Sequence, residues 1–115
     1  MPVSPITTHI LDTARGCPAA GVPVSIEIDR NGQFEVLSKG STNNDGRIMD
    51  LLPSDKPLEA GRYRMRFETG TYFSETNVQG FYPYVEVVFD IKAPGEHYHV
   101  PLLLSPFGFS TYRGS

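Results

Sequence analysis

The sequence has little of several things, and each shortage excludes something. There is one cysteine, Cys17, in 115 residues, so the chain holds no internal disulfide and suits a reducing compartment. Its apolar stretches run for only a handful of residues, well short of the ~20 that a membrane helix requires. Basic residues are not in excess: the net charge is −3, where a nucleic-acid partner would favour a basic stripe. The opening MPVSPITTH lacks the basic flank and apolar core of a secretory signal, and no terminal Ser-Lys-Leu address is present. These features together point to the cytoplasm, with no membrane and no nucleic acid as partner. Also missing are a Ser-His-Asp pattern, a G-x-S-x-G elbow and a phosphate-cradling glycine loop. There is no internal repeat, linker or low-complexity segment, so residues 1–115 are read as a single domain.

What is present is punctuation. Eleven glycines and ten prolines divide the chain into short segments filled with β-branched and aromatic residues, which favours strands over helices. ITTHILDTA reads as a first strand, closed by a loop at Arg15-Gly16-Cys17-Pro18. VPVSIEID alternates Val22, Val24, Ile26 and Ile28 with small or charged residues, as a half-buried strand does. Arg30-Asn31-Gly32 is a hairpin signal leading into QFEVLSKG, and NNDGRI supplies a second tight turn. GRYRMRF sets Tyr63, Met65 and Phe67 against three arginines. YVEVVFDI, HYHVPLLL and FGFSTYR complete the strands, while TGTYFSETN is the one helix candidate, polar-capped. The expectation is an all-β fold: an antiparallel two-sheet β-sandwich of about eight strands with one short helix.

Imidazoles are the main candidates for chemistry. His9 lies in the first strand; His97 and His99 lie two apart in HYHV, on the same face of a strand. Either an unperturbed imidazole base or a three-His zinc site is compatible with this pattern. Arg47 follows the Asp45-Gly46 turn, where a rigid corner would aim its forked donors at a planar, oxygen-rich anion. The segment Tyr112-Arg113-Gly114-Ser115 follows aromatics at Phe107 and Phe109 instead of trailing off in polar residues, which suggests that it is tied into a site.

Taken together, THILDTARG, NNDGR, EHYHVPLLLSP and YRGS resemble the transthyretin-related 5-hydroxyisourate hydrolases of urate breakdown. The likeness runs from about Thr8 to Ser115, and its specific part lies in HYHVPLLLSP and YRGS. In transthyretin, the hormone carrier of the same fold, the histidines and the YRGS segment are replaced. Tyr84 departs from the pattern, standing where an acidic residue is more usual. The resemblance implies a transthyretin-like sandwich, a homotetramer built as a dimer of dimers, and 5-hydroxyisourate as substrate, with no cofactor and no metal. It assigns catalysis to His9, Arg47, His99 and Ser115, and substrate binding to His9, Arg47, Tyr112, Arg113, Gly114 and Ser115. His97 is given a supporting part, and which imidazole acts as base is left open.

Overall fold

Period-two alternation of apolar and polar residues becomes nine strands in the structure, a computed structural model that describes residues 4–115. They are β1 (Ile6–Asp12), β2 (Cys17–Pro18), β3 (Pro23–Arg30), β4 (Gln33–Ser41), β5 (Arg47–Ile48), β6 (Gly61–Phe67), β7 (Val85–Ile91), β8 (Tyr98–Ser105) and β9 (Gly108–Thr111), with helix α1 (Thr69–Glu75) between β6 and β7. One sheet has the order β4-β3-β6-β7. The other runs β2-β1-β8-β9, with β5 also paired to β1. β2 and β5 share one edge of β1: β5 meets Thr8 and His9, and β2 meets Leu11 and Asp12.

The β-sandwich is as expected; its details differ in three places. β1 and β8 pair in parallel, Ile6 beside Tyr98 through Asp12 beside Leu104, whereas every other pairing is antiparallel. Alternation along a strand reveals which face it buries, not the direction of its neighbour. β2 and β5 are two residues each, too short for any period to show. The helix stops at Glu75, not Asn77, because Asn77 takes the left-handed conformation (φ 62) that ends helices. Its start has no side-chain cap, since the Glu68 carboxylate is bonded by Arg66 instead, at 2.6 Å.

The core lies between the sheets. Val24, Ile26, Ile28, Tyr63, Met65 and Phe67 face Ile6, Ile10, Val100, Leu102 and Leu104, all 6% exposed or less. Burying such side chains contributes about 1.5–3 kcal/mol each relative to leaving them in water. Asn31 and Gly32 both have positive φ, the geometry of a two-residue hairpin turn, and Arg30 pairs with Gln33 across it. A buried polar tie fixes the helix to the first strand: Tyr72 donates to the Asp12 carboxylate at 2.7 Å. Tyr84 lies under Arg66, whose guanidinium carbon is 3.7 Å from the ring centroid, so the aromatic meets a cation that an acid would also suit.

Candidate active site

Arg47 owes its position to the corner before it. Asn43 accepts hydrogen bonds through Oδ1 from the backbone N–H groups of Asp45 (2.9 Å) and Arg47 (3.0 Å), and its own N–H donates to the Arg47 carbonyl at 3.0 Å. Gly46 completes the turn at φ +73, where an added Cβ would lie 2.5 Å from the Ile10 carbonyl oxygen. Only glycine fits that close approach. Asn43 and Gly46 are therefore what make the corner rigid, and the D-G signal captured half of it.

Register then gathers the site. Arg47 stands opposite His9 across β5 and β1, and Thr7 stands opposite His99 across β1 and β8. Residues two apart share a face, so Thr7, His9, Arg47 and His99 all belong to the outer face of the five-stranded sheet. The inner face is taken by Ile6, Ile10, Val100 and Leu102. His97 precedes β8, which begins at Tyr98, yet its Nε2 lies 2.9 Å from the Thr7 hydroxyl, while His99 Nδ1 lies 2.8 Å from the same oxygen. Thr7 is fully buried. It was missed in the sequence because a threonine in a strand is unremarkable; the shared face of the H-x-H pair was the only available hint.

Both strand imidazoles are made harder to protonate than a free one. His99 is held below its ordinary value, first by partial burial, then by Arg47, His9 and His97. His9 is lowered by partial burial and then by Arg47, against an opposing pull from Asp45. Arg47 makes no ion pair among the described residues, unlike the arginines of the opposite sheet. A free guanidinium beside two neutral imidazoles can orient an anion while one ring takes a proton.

The YRGS residues divide. Gly114 joins the site: it forms a bridge with His99, donating its N–H to the His99 carbonyl at 2.8 Å. A Cβ there would lie 2.6 Å from His99 Cδ2, so the backbone packs directly on the ring. Arg113 points elsewhere. It donates to Glu96 at 2.8 Å and stacks 4.4 Å from the Tyr98 ring centroid, where a carboxylate and an aromatic face already satisfy it. Tyr112 is 56% exposed and borders a cavity of about 360 Å³ with Val87, Val88 and Tyr98. Ser115 is exposed, and it pairs with neither Arg47 nor Arg113 among the described residues.

The three imidazoles do not form a metal cluster: among the described residues no group of three or more His, Cys, Asp or Glu is gathered closely enough. Two hollows among the described residues also lie elsewhere. One of about 360 Å³ sits beside Leu52, Leu58 and Tyr63, and another of about 490 Å³ borders His97 and residues 54–58. Neither is lined by His9, Arg47 or His99. The cluster is the better candidate all the same, because it gathers two lowered imidazoles beside an arginine that has no ion pair among the described residues. A sheet face stays open until something covers it.

Comparison with known proteins gives the family and the fold. A model of the HIUase/Transthyretin family matches residues 6–114. The 5-hydroxyisourate hydrolase of Salmonella typhimurium is 46% identical over 110 residues, which span 96% of this chain and 80% of that one. The structure of Klebsiella pneumoniae 5-hydroxyisourate hydrolase superposes with a TM-score of 0.82 at 43% identity, covering 96% and 98% of the two chains. Sea bream transthyretin in complex with thyroxine superposes at 0.90 with 32% identity, covering 96% and 95%. Backbone shape is thus shared with a thyroxine-bound transthyretin, while sequence identity is higher to the hydrolases.

Proposed function

The chain belongs to the HIUase/Transthyretin family, and from that membership, together with the shared face of His9, Arg47 and His99, we infer that it hydrolyses 5-hydroxyisourate. The observation that carries the mechanism is the shared face of His9, His99 and Arg47, where both imidazoles are lowered and the arginine has no ion pair among the described residues. The substrate is an activated lactam, so water needs only a modest base. A neutral imidazole of His9 or His99 removes a proton as the water oxygen adds to the ring acyl carbon. Arg47 orients the substrate and stabilises the oxyanion that forms. The acyl C–N bond then breaks, the imidazolium returns its proton to the departing ring nitrogen, and the six-membered ring opens. The product is 2-oxo-4-hydroxy-4-carboxy-5-ureidoimidazoline. The scheme uses neither cofactor nor metal.

Gly114 closes one side of the pocket by packing on His99. The working form is a homotetramer, a dimer of dimers, in which a second copy covers the open face. Support comes from that openness and from exposed aromatics, Phe107 at 72% and Phe81 at 66%, of the kind that subunit contacts bury. The setting is cytoplasmic, in keeping with the lone Cys17.

The deciding measurement is the absorbance decay of freshly generated 5-hydroxyisourate, corrected for its spontaneous hydrolysis. Catalytic acceleration is expected. Stoichiometric binding without acceleration would favour the second reading, a transthyretin-like carrier, which the 0.90 superposition keeps in view. Light scattering tests the tetramer.

A further inference from the structure

Thr7 has one hydroxyl proton and two imidazole neighbours, His99 Nδ1 at 2.8 Å and His97 Nε2 at 2.9 Å. It can donate to only one of them, so the other ring must supply an N–H. Two arrangements are possible. In one, His97 Nε2–H donates to Thr7 and Thr7 donates to His99 Nδ1, which leaves the His99 proton on Nε2. In the other, His99 Nδ1–H donates to Thr7 and Thr7 donates to His97 Nε2, which leaves His99 Nε2 with its lone pair.

We propose that Thr7 is a positioning residue that fixes the second arrangement, holding His99 with Nε2 ready to accept the proton of the attacking water. This rests on the hydrolase reading above.

Two contacts fix the orientation of the ring, and the charge on its face favours that direction. Nε2 is the His99 ring nitrogen left unbonded among the described residues, since Nδ1 is occupied by Thr7. The ring cannot turn over freely, because Gly114 packs against its Cδ2 edge and a flip would give up its contact with the Thr7 hydroxyl. Arg47 shares this sheet face with the ring, opposite His9 on the strand that carries Thr7, and near a cation an N–H dipole on the open edge is less favourable than a lone pair. The arrangement is also prepared for reaction. When His99 Nε2 gains a proton, Nδ1–H still donates to Thr7, so nothing in the chain has to reorient. In the reverse arrangement His99 has no free lone pair and the hydroxyl would first have to rotate.

The test uses ¹⁵N-detected imidazole spectra near pH 8 together with steady-state turnover, on the wild type, Thr7→Val, Thr7→Ser, His97→Ala and His99→Ala. The wild type should show His99 protonated at Nδ1 and bare at Nε2. Thr7→Val should show mixed tautomers, with kcat reduced about tenfold to a hundredfold and KM nearly unchanged. Thr7→Ser, which keeps the hydroxyl, should restore both. His97→Ala should lower kcat in the same direction and add little to Thr7→Val. Because His97 is exposed, its variant still reports on the link should the valine variant fail to fold. A wild-type His99 protonated at Nε2 overturns the proposal. So does a folded Thr7→Val with unchanged tautomer and kcat beside an inactive His99→Ala, an outcome that leaves the hydrolase reading standing. Full activity in His99→Ala would overturn both.

Discussion

The two sheets treat charge on their outer faces in opposite ways. On the four-stranded sheet every arginine has a carboxylate. Arg64 bonds Glu27 at 2.7 Å, Arg66 bonds Glu68 at 2.6 Å and Glu86 at 3.2 Å, and Arg62 bonds Asp90 at 2.8 Å. Phe34 lies against Arg64 and Tyr84 against Arg66. On the five-stranded sheet Arg47 has no carboxylate among the described residues, and the side chains near it are imidazoles lowered towards neutrality. A satisfied face resists change; an unsatisfied one keeps its hydrogen-bonding capacity for a ligand. The difference is one of pairing, since arginines occur on both sheets.

Breaking the unsatisfied face should have the largest effect. His9→Ala and His99→Ala are each expected to lose roughly a hundredfold or more in kcat/KM, with little change in thermal unfolding, because neither ring belongs to the core. Removing Tyr112 to Ser115 should abolish turnover and leave a folded sandwich, since Gly114 is in contact with His99 and the core residues are elsewhere. Turnover is read on freshly made substrate and fold by circular dichroism. Near-wild-type kcat/KM in folded His99→Ala would remove it from the site. A truncated chain that unfolds would make the segment structural.

Breaking the satisfied face should do the reverse. Arg64→Ala leaves the Glu27 carboxylate, 5% exposed, without its forked partner. Stranding a largely buried charge in this way should cost about 2 kcal/mol, measured by urea unfolding, while kcat of the folded fraction stays unchanged. Lost activity without lost stability would mean that the two faces are coupled.

Gly114→Ala sharpens the contrast at a single atom. The new Cβ would lie 2.6 Å from His99 Cδ2, so the ring must shift and its bond to Thr7 must lengthen. A misplaced imidazole should reduce kcat about tenfold, with stability little altered. Unchanged kcat would show that the ring can give way without consequence.

How much of this was legible in the sequence depended on range. Faces were readable, because alternation in VPVSIEID and GRYRMRF fixes which side is buried, and the Arg47 corner showed through Asp45-Gly46. Partners were not. The parallel pairing of β1 with β8 brings Thr7 beside His99 across 92 positions, and no local pattern carries that. Arg113 illustrates the same limit. Its neighbours in YRGS suggested a role beside Gly114, but successive residues of an extended chain point to opposite sides, and Glu96 with Tyr98 waits on the other side. The likeness in HYHVPLLLSP and YRGS identified the family from residue types alone, without the contacts that explain them.

The smallest expected effect is the one that titrates. His9 and His99 both have folded values below 6.5, whereas in the unfolded chain they return to about that value. As pH falls through 6.5 the unfolded chain therefore binds protons first, and stability present at neutral pH begins to decline. The decline levels off once pH is below the folded values. Solvent reaches both rings, so the loss should be small, a slight fall in Tm between about pH 7 and 5. The ion pairs of the other sheet should not contribute in this window. Arg62 holds the Asp90 carboxyl below its usual range, and carboxylates in general stay ionised until near pH 4. Turnover should fall over the same interval, with an apparent value below 6.5, because a cationic imidazole cannot accept a proton from water. The His9→Ala/His99→Ala double variant should lose the slope in Tm while keeping the plateau. A wild-type Tm that rises on acidification would reverse the sign of the argument, and a flat one would mean that the rings on the open face are not shifted at all.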